Sequence, residues 1–308
     1  MTRLTRILAE PYAGLQAQGI GLAEAAGLPA EIVTLAPRAP WRWIAARAWP
    51  APLAAVRLAP PFPDLTIGVG GVAGAVGAAL RSHAVRVVQV QDPRLPLDRF
   101  DLVVAARHDQ ISGPNVIVTR TALHRVTQAR LAAAAALWAP RLAHLPRPLV
   151  AVLVGGTNGR FRLDRSIAAR LGAELAAMMR RDGTGLALTP SRRTDPAAIR
   201  ALHAALAPLG GYVWDGAGEN PYFGLLALAD AIVVTIDSVS MISEAVATTA
   251  PVMLAPLPGR SRRNRLFVET MEASGRVRPF AGRFVHWNVT ALDDTAEAAA
   301  EMRRRLGL

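Results

Sequence analysis

Several short segments of this chain carry residue types suited to holding a phosphate. Gly155-Gly156-Thr157-Asn158-Gly159 has little side chain, so its amides can approach an anion closely, and Arg160 and Arg162 follow at once. Ser191-Arg192-Arg193-Thr194 sets two guanidinium groups side by side, a pattern matched to the oxygens of a phosphate. Asp237-Ser238-Val239-Ser240 offers hydroxyls and amides, and Glu244, further along the helix that follows, is a carboxylate able to accept from both hydroxyls of a ribose. Gly259-Arg260-Ser261-Arg262-Arg263 is again small and basic, and Asn220 opens a further helix in the same half. Each segment also has an ordinary reading: a tight glycine turn, solvated arginines, or an early helix acid stabilised by the macrodipole. Their recurrence on one predicted edge is what favours a ligand.

That edge follows from the elements. Leu149–Val154, Gly185–Thr189, Gly211–Trp214, Ala231–Thr235 and Val252–Ala255 read as short strands buried on both faces. Helices alternate with them, with Asp164 and Asp195-Pro196 as start signals and Gly183 as a stop. Such alternation predicts a parallel sheet with right-handed crossovers, and open parallel sheets bind ligands beyond the strand C-termini. The first half alternates too. Strands are expected at Arg6–Ala9, Ile32–Leu35, Leu65–Val69, Val85–Val90 and Leu102–Ala105, and helices at Gln16–Ala26, after Gly70, and at Ala129–Leu137. Pro140, Pro146 and Pro148 read as a linker.

In the first half Asp92, His108 and Asp109 are the candidates for a general base, since a hydroxyl acceptor must lose its proton. Asp92 before a proline is equally an ordinary turn residue. Trp41, Trp43 and Trp49 interleave with Arg38, Arg42 and Arg47, a composition suited to a membrane surface or to partial packing with arginine stems over apolar neighbours. Gly68, Gly70 and Gly74 lack the acidic residue that a dinucleotide fingerprint requires at the end of the next strand.

Composition narrows the classes. The net charge is +12, but all 35 basic residues are arginine and alanine is abundant, a bias that GC-rich codons produce without any ligand. With 5% aromatics and no zinc-finger spacing, nucleic acid is not expected as a partner. There is no cysteine, so no disulfide or thiolate site, and no His/Asp/Glu group has metal spacing. No apolar run is long enough for a membrane span, and the N-terminal residues do not read as a cleavable signal, so the cytoplasm is the expectation.

The run Ala229–Val234, then Asp237-Ser238-Val239-Ser240-Met241-Ile242-Ser243-Glu244-Ala245, then Ala250-Pro251-Val252, resembles the donor-nucleotide segment of GT-B glycosyltransferases, such as the bacterial enzyme that adds N-acetylglucosamine to the peptidoglycan lipid precursor. That resemblance implies that Glu244 holds the ribose and that Ser238–Ser240 faces the phosphates or sugar. A likeness covering nearly the whole chain is to the mitochondrial-fission, or "elongated mitochondria", family. It is carried by Gly14-Leu15-Gln16-Ala17-Gln18, Gln91-Asp92-Pro93-Arg94, His108-Asp109, Gly113-Pro114-Asn115-Val116, Ser191–Thr194, Asn220-Pro221-Tyr222-Phe223-Gly224 and Leu257-Pro258-Gly259-Arg260-Ser261. The chain departs from the family's usual start, with Glu10-Pro11-Tyr12-Ala13 before Gly14 and Leu15 in place of a histidine.

The expected fold is therefore α/β, with two Rossmann-like domains facing a cleft. Residues 1–147, with 285–308 packing back on them through a C-terminal helix, would form the acceptor side. Residues 148–284 would bind the nucleotide through Gly155, Gly156, Asn158, Arg160, Arg192, Arg193, Asn220, Ser238, Ser240, Glu244 and Arg260. The function expected is a metal-independent, GT-B-type glycosyltransferase-like protein, without a cofactor, taking a nucleoside-diphosphate sugar. A membrane surface or lipid-linked acceptor would be met through Trp41, Trp43 and Trp49. Two alternatives stand beside it: a non-catalytic membrane-peripheral scaffold, and a nucleoside-diphosphate-sugar epimerase.

Overall fold

The computed structural model describes residues 4–308. The chain forms two compact units, one reaching to Arg125 and rejoined by Asp293–Leu308, the other Val126–Leu292.

The first unit follows the predicted alternation: β1 (Thr5–Ala9), α1 (Ala13–Ala25), β2 (Ala30–Thr34), a short α2 (Pro52–Ala55), β3 (Leu65–Val69), α3 (Gly70–Leu80), β4 (Arg86–Val90), β5 (Leu102–Ala106) and β6 (Val116–Thr119). The strands form one sheet in the order β2-β1-β3-β4-β5-β6, every neighbouring pair parallel. β3 is buried at every residue, as a strand covered on both faces must be. One face packs Ile7, Ile67, Val88 and Val104 against Leu22 of α1 and against Ala298, Ala299 and Met302 of the C-terminal helix Thr295–Leu306. Val76 and Leu80 of α3 cover the other. Asp294 ties the C-terminal helix to the end of β6 by accepting from the Thr121 amide (3.2 Å) and from Arg120 Nε (3.0 Å).

The second unit runs α4 (Gln128–Leu142), β7 (Leu149–Val154), α5 (Arg165–Asp182), β8 (Gly185–Pro190), α6 (Pro196–Leu206), β9 (Tyr212–Val213), α7 (Tyr222–Leu228), β10 (Ala231–Thr235), α8 (Val239–Val246), β11 (Val252–Ala255), α9 (Arg262–Ala273) and β12 (Val277–Pro279); the helix Thr295–Leu306 is α10. Its sheet order is β12-β11-β10-β7-β8-β9, again wholly parallel. Asp164 caps α5 through the Ser166 and Ile167 amides (2.9 and 3.0 Å). Gly183 ends it at φ 65, a left-handed conformation that favours glycine.

The structure departs from the sequence reading at several points. The strand expected at Gly211–Trp214 is only two residues long. Two further strands lie outside the sequence reading: β6, a β-branched run Val116-Ile117-Val118 that the sequence does signal, and β12, three residues ending in proline with no apolar run to mark them. The division between units falls at Arg125/Val126 rather than at 147/148. Trp138 and Leu142 carry α4 past Pro140 because both are buried in the second core. α7 comes so close that a β-carbon at Gly224 would stand 2.4 Å from the Trp138 ring. The second crossing falls at 292/293 rather than 284/285, since Leu292 belongs to the second core.

Candidate functional site

The order β11-β10-β7-β8 sets four loops side by side along the C-terminal edge of the second sheet, and chain direction across the sheet reverses between β7 and β10. In open α/β sheets that reversal is where ligands settle. Here one carboxylate occupies the junction. Asp237, its side chain 0% exposed, accepts from Thr235 Oγ1 (2.7 Å), the Gly156 amide (3.1 Å) and Arg193 Nη2 (3.0 Å). The Gly155 amide donates to Thr235 Oγ1 (2.7 Å). The loops after β7, β8 and β10 are thus bound to one buried side chain.

This corrects the expected role of the glycine loop. The amides of Gly155 and Gly156 do not face outward to an anion; Thr235 and Asp237 already take them. The two glycines serve close approach instead. A β-carbon on Gly155 would stand 2.2 Å from Asp237 Oδ1, and one on Gly156 would stand 2.2 Å from the Arg193 carbonyl oxygen. Asn158 is likewise internal, its Oδ1 accepting from the Arg160 and Phe161 amides (2.8 and 2.9 Å). Ser238 caps α8 through the Met241 amide (3.4 Å). Asn220 accepts from the Tyr222 amide (2.9 Å), holding the turn that opens α7.

Other predicted residues keep a face toward solvent. Arg193 pairs with Asp237 while 41% of its side chain remains exposed, so the pair fixes a guanidinium at the rim rather than burying it. Arg192 is exposed beside it, and Ser240 is half-buried. Arg160 and Arg260 are exposed on the loops after β7 and β11. Their backbones are zipped together: Arg260 N–H donates to Arg160 O (3.2 Å), Arg162 N–H to Pro258 O (2.9 Å), and Phe161 bridges Gly259 in antiparallel fashion. The loops after β7 and β11 therefore form one ribbon carrying arginines on both strands.

Glu244 lies on α8, 9% exposed. Its Oε2 accepts the phenolic proton of Tyr222, the first residue of α7. Burial pushes the carboxyl up to about 7, against the smaller downward pull of that hydrogen bond. Burial and the nearby carboxylate push the Tyr222 phenol well above its ordinary value. Oε1 accepts no hydrogen bond among the described residues and is not sealed from solvent.

Sequence reasoning missed Asp237, Thr235 and Tyr222 as structural partners of the site. The signal was present for Asp237: a carboxylate inside a row of anion-binding loops needs cationic or amide partners, and Gly155-Gly156 and Arg193 supply them.

In the first unit the candidate bases sit on adjacent loops, Asp92 after β4 and His108-Asp109 after β5. Asp92 closes a turn on the Arg94 amide (2.8 Å). His108 is 6% exposed and the Asp109 side chain 2%. The acid that the sequence reading passed over is Glu10, at the C-terminal end of β1, where that sheet reverses between β1 and β3. Half-buried, its carboxyl is raised by desolvation.

Of the three tryptophans, Trp43 is 69% exposed, Trp41 half-buried and Trp49 buried. Trp49 Nε1 donates to the carbonyls of Trp41 (3.2 Å) and Ile44 (3.0 Å), so it anchors the loop from within and does not belong to its surface. Arg42 lies over the Trp43 ring at 4.5 Å and Ile44 is 42% exposed. Among the described residues no helix is long and apolar enough to cross a membrane.

A model of the mitochondrial fission ELM1 family matches residues 13–306. Over 254 residues the chain is 35% identical to the Arabidopsis thaliana mitochondrial fission protein ELM1, covering 74% of this chain and 59% of that protein's length. Among solved structures it is similar to the UDP-GlcNAc 2-epimerase of Methanocaldococcus jannaschii, with TM-score 0.57, 12% identity and 99% of each chain covered. It is also similar to Arabidopsis thaliana UGT89C1 complexed with UDP, with TM-score 0.56, 11% identity, and 98% of this chain and 90% of that one covered. At these identities the likeness is one of fold, the GT-B architecture of glycosyltransferases and sugar-nucleotide epimerases.

Proposed function

The chain belongs to the mitochondrial fission ELM1 family, and from that premise we propose that its second unit binds a nucleoside-diphosphate sugar in a GT-B-type, glycosyltransferase-like manner. The observation that carries the reading is a buried carboxylate, Glu244, with one oxygen left open to solvent. It lies in the helix that follows a β10 loop already bound to the rim guanidinium of Arg193. A ribose needs the first group and a diphosphate the second. Arg192, Arg160 and Arg260 extend the cationic row on the same edge, where they would also stabilise a departing diphosphate. The UDP held by the similar UGT89C1 structure agrees with this ligand class.

The test is calorimetric titration and thermal stabilisation with UDP, GDP, ADP, CMP and their sugar derivatives. At least one is expected to raise the melting temperature at millimolar concentration, and the gain should vanish in Glu244→Ala. No stabilisation by any of them overturns the reading.

A sugar-nucleotide epimerase is the second reading. Glu10 favours it, a carboxyl made a weaker acid by burial at the reversal point of the first sheet. Incubating the sugar nucleotide alone and following its anomeric proton by NMR separates epimerisation, which needs no acceptor, from transfer.

Peripheral contact with the inner face of a membrane, where a lipid-linked acceptor would reside, rests on the exposed Trp43, Ile44 and Arg42. Sedimentation with anionic vesicles tests it. A scaffold role without turnover would keep that binding while showing neither transfer nor epimerisation.

A further inference from the structure

Glu244 presents two unequal oxygens. Oε1 has no hydrogen bond among the described residues and reaches solvent, whereas Oε2 holds the Tyr222 phenol. A ribose grips a carboxylate with both of its neighbouring hydroxyls, one on each oxygen. In the present arrangement one of those oxygens is already engaged by the phenol.

We propose that Tyr222 is a specificity gate on this carboxylate: its phenol stands in for one hydroxyl of a vicinal diol, and a ribonucleotide must displace it, whereas a ligand with a single hydroxyl need not. This rests on the reading of Glu244 as the ribose site. The surroundings suit a residue that moves. Tyr222 begins a helix of seven residues and has no side-chain cap hydrogen bond at the preceding position. Before it lies an exposed loop, residues 215–220, with Gly216 and Gly218 at φ 94 and 66. Asn220 Oδ1 accepts from the Tyr222 amide, which keeps the helix start in place when the phenol leaves Oε2, while the ring is half-buried against the second core. Phe223 meets the Tyr222 ring edge-on at 5.6 Å, giving the ring an apolar neighbour that does not depend on the hydroxyl.

The gate makes a prediction that a merely structural tyrosine does not. Removing the phenolic oxygen removes the competitor for Oε2, so diol ligands gain and single-hydroxyl ligands do not. The experiment is calorimetric titration of UDP and 2′-deoxy-UDP into the full chain, its Tyr222→Phe variant and its Glu244→Gln variant, with circular dichroism confirming that each is folded. Tyr222→Phe is expected to bind UDP about tenfold more tightly, the scale of one lost charged hydrogen bond, and 2′-deoxy-UDP within about twofold of the original chain. If both nucleotides shift together, or if UDP binds more weakly, Tyr222 is part of the site or of its scaffold and the gate is overturned. If Glu244→Gln leaves UDP binding unchanged, or the original chain does not bind UDP, the underlying ribose reading fails.

Discussion

Gly155 and Asp237 meet so closely that a β-carbon on the glycine would lie 2.2 Å from one carboxylate oxygen and 2.3 Å from the other. No rotamer of a fully buried Asp237 can yield by that much while keeping Thr235, Gly156 and Arg193 as donors. Gly155→Ala is therefore expected to destabilise the second unit by about 3 kcal/mol or more, the range for overpacking combined with a broken buried network. Urea unfolding followed by tryptophan fluorescence measures it, and a change below about 1 kcal/mol would be inconsistent with the packing.

Arg193→Ala should act on two levels. It takes one donor from a carboxylate that stays buried, costing about 1–3 kcal/mol of stability. It also removes the guanidinium held at the rim, so UDP should bind at least about tenfold more weakly. Arg192→Ala is exposed and has no ion pair among the described residues, so it should leave the unfolding midpoint unchanged. The paired comparison of midpoints and dissociation constants separates scaffold from ligand contact.

Glu244 sets a pH dependence of unusual sign for a carboxylate. It titrates near 7 when folded, against 4.5 for the free side chain. Between those values the folded chain holds a proton that the unfolded chain has released, so stability contributed below about pH 4.5 is lost as the pH rises through 7. Linkage puts the loss at about 3 kcal/mol. Glu244→Gln should remove this descending component, and the difference in unfolding free energy between the two proteins from pH 4.5 to 8 checks it. Nucleotide binding should run the other way, strengthening toward pH 8 as the carboxylate ionises.

Trp43 and Trp49 should separate cleanly. Trp49→Ala empties a buried site and strands two carbonyls, so a loss of about 3–5 kcal/mol is expected. Trp43→Ala removes an exposed ring, leaving stability within about 0.5 kcal/mol while lowering co-sedimentation with anionic vesicles. Equal vesicle binding by Trp43→Ala and the original chain would remove the membrane surface from this loop.

The alternation of strands and helices was readable because strands buried on both faces are continuous apolar runs, and Asp164, Gly183 and Asp195 mark helix ends by simple hydrogen-bond chemistry. The site was readable only in part. From the chain order Arg193 could be placed in the loop after β8 and Glu244 on the helix after β10. The orientation of the Gly155 and Gly156 amides could not, because it depends on Thr235 and Asp237, at the end of β10 and in the loop after it, some 80 residues later. A glycine loop that cradles an anion and one that packs on a carboxylate share one sequence pattern. Trp49 was misplaced for a related reason: spacing puts it with Trp41 and Trp43, but its indole N–H finds carbonyls inside the loop.

The ribbon that joins Phe161 to Gly259 links two loops that β10 separates in the sheet. Its two strands therefore form a single structural module. Exchanging the loop after β7 between relatives, without its partner after β11, would leave unpaired backbone on both sides. A chimera that grafts a new ligand preference onto this scaffold must carry Arg160–Arg162 and Pro258–Arg260 across together.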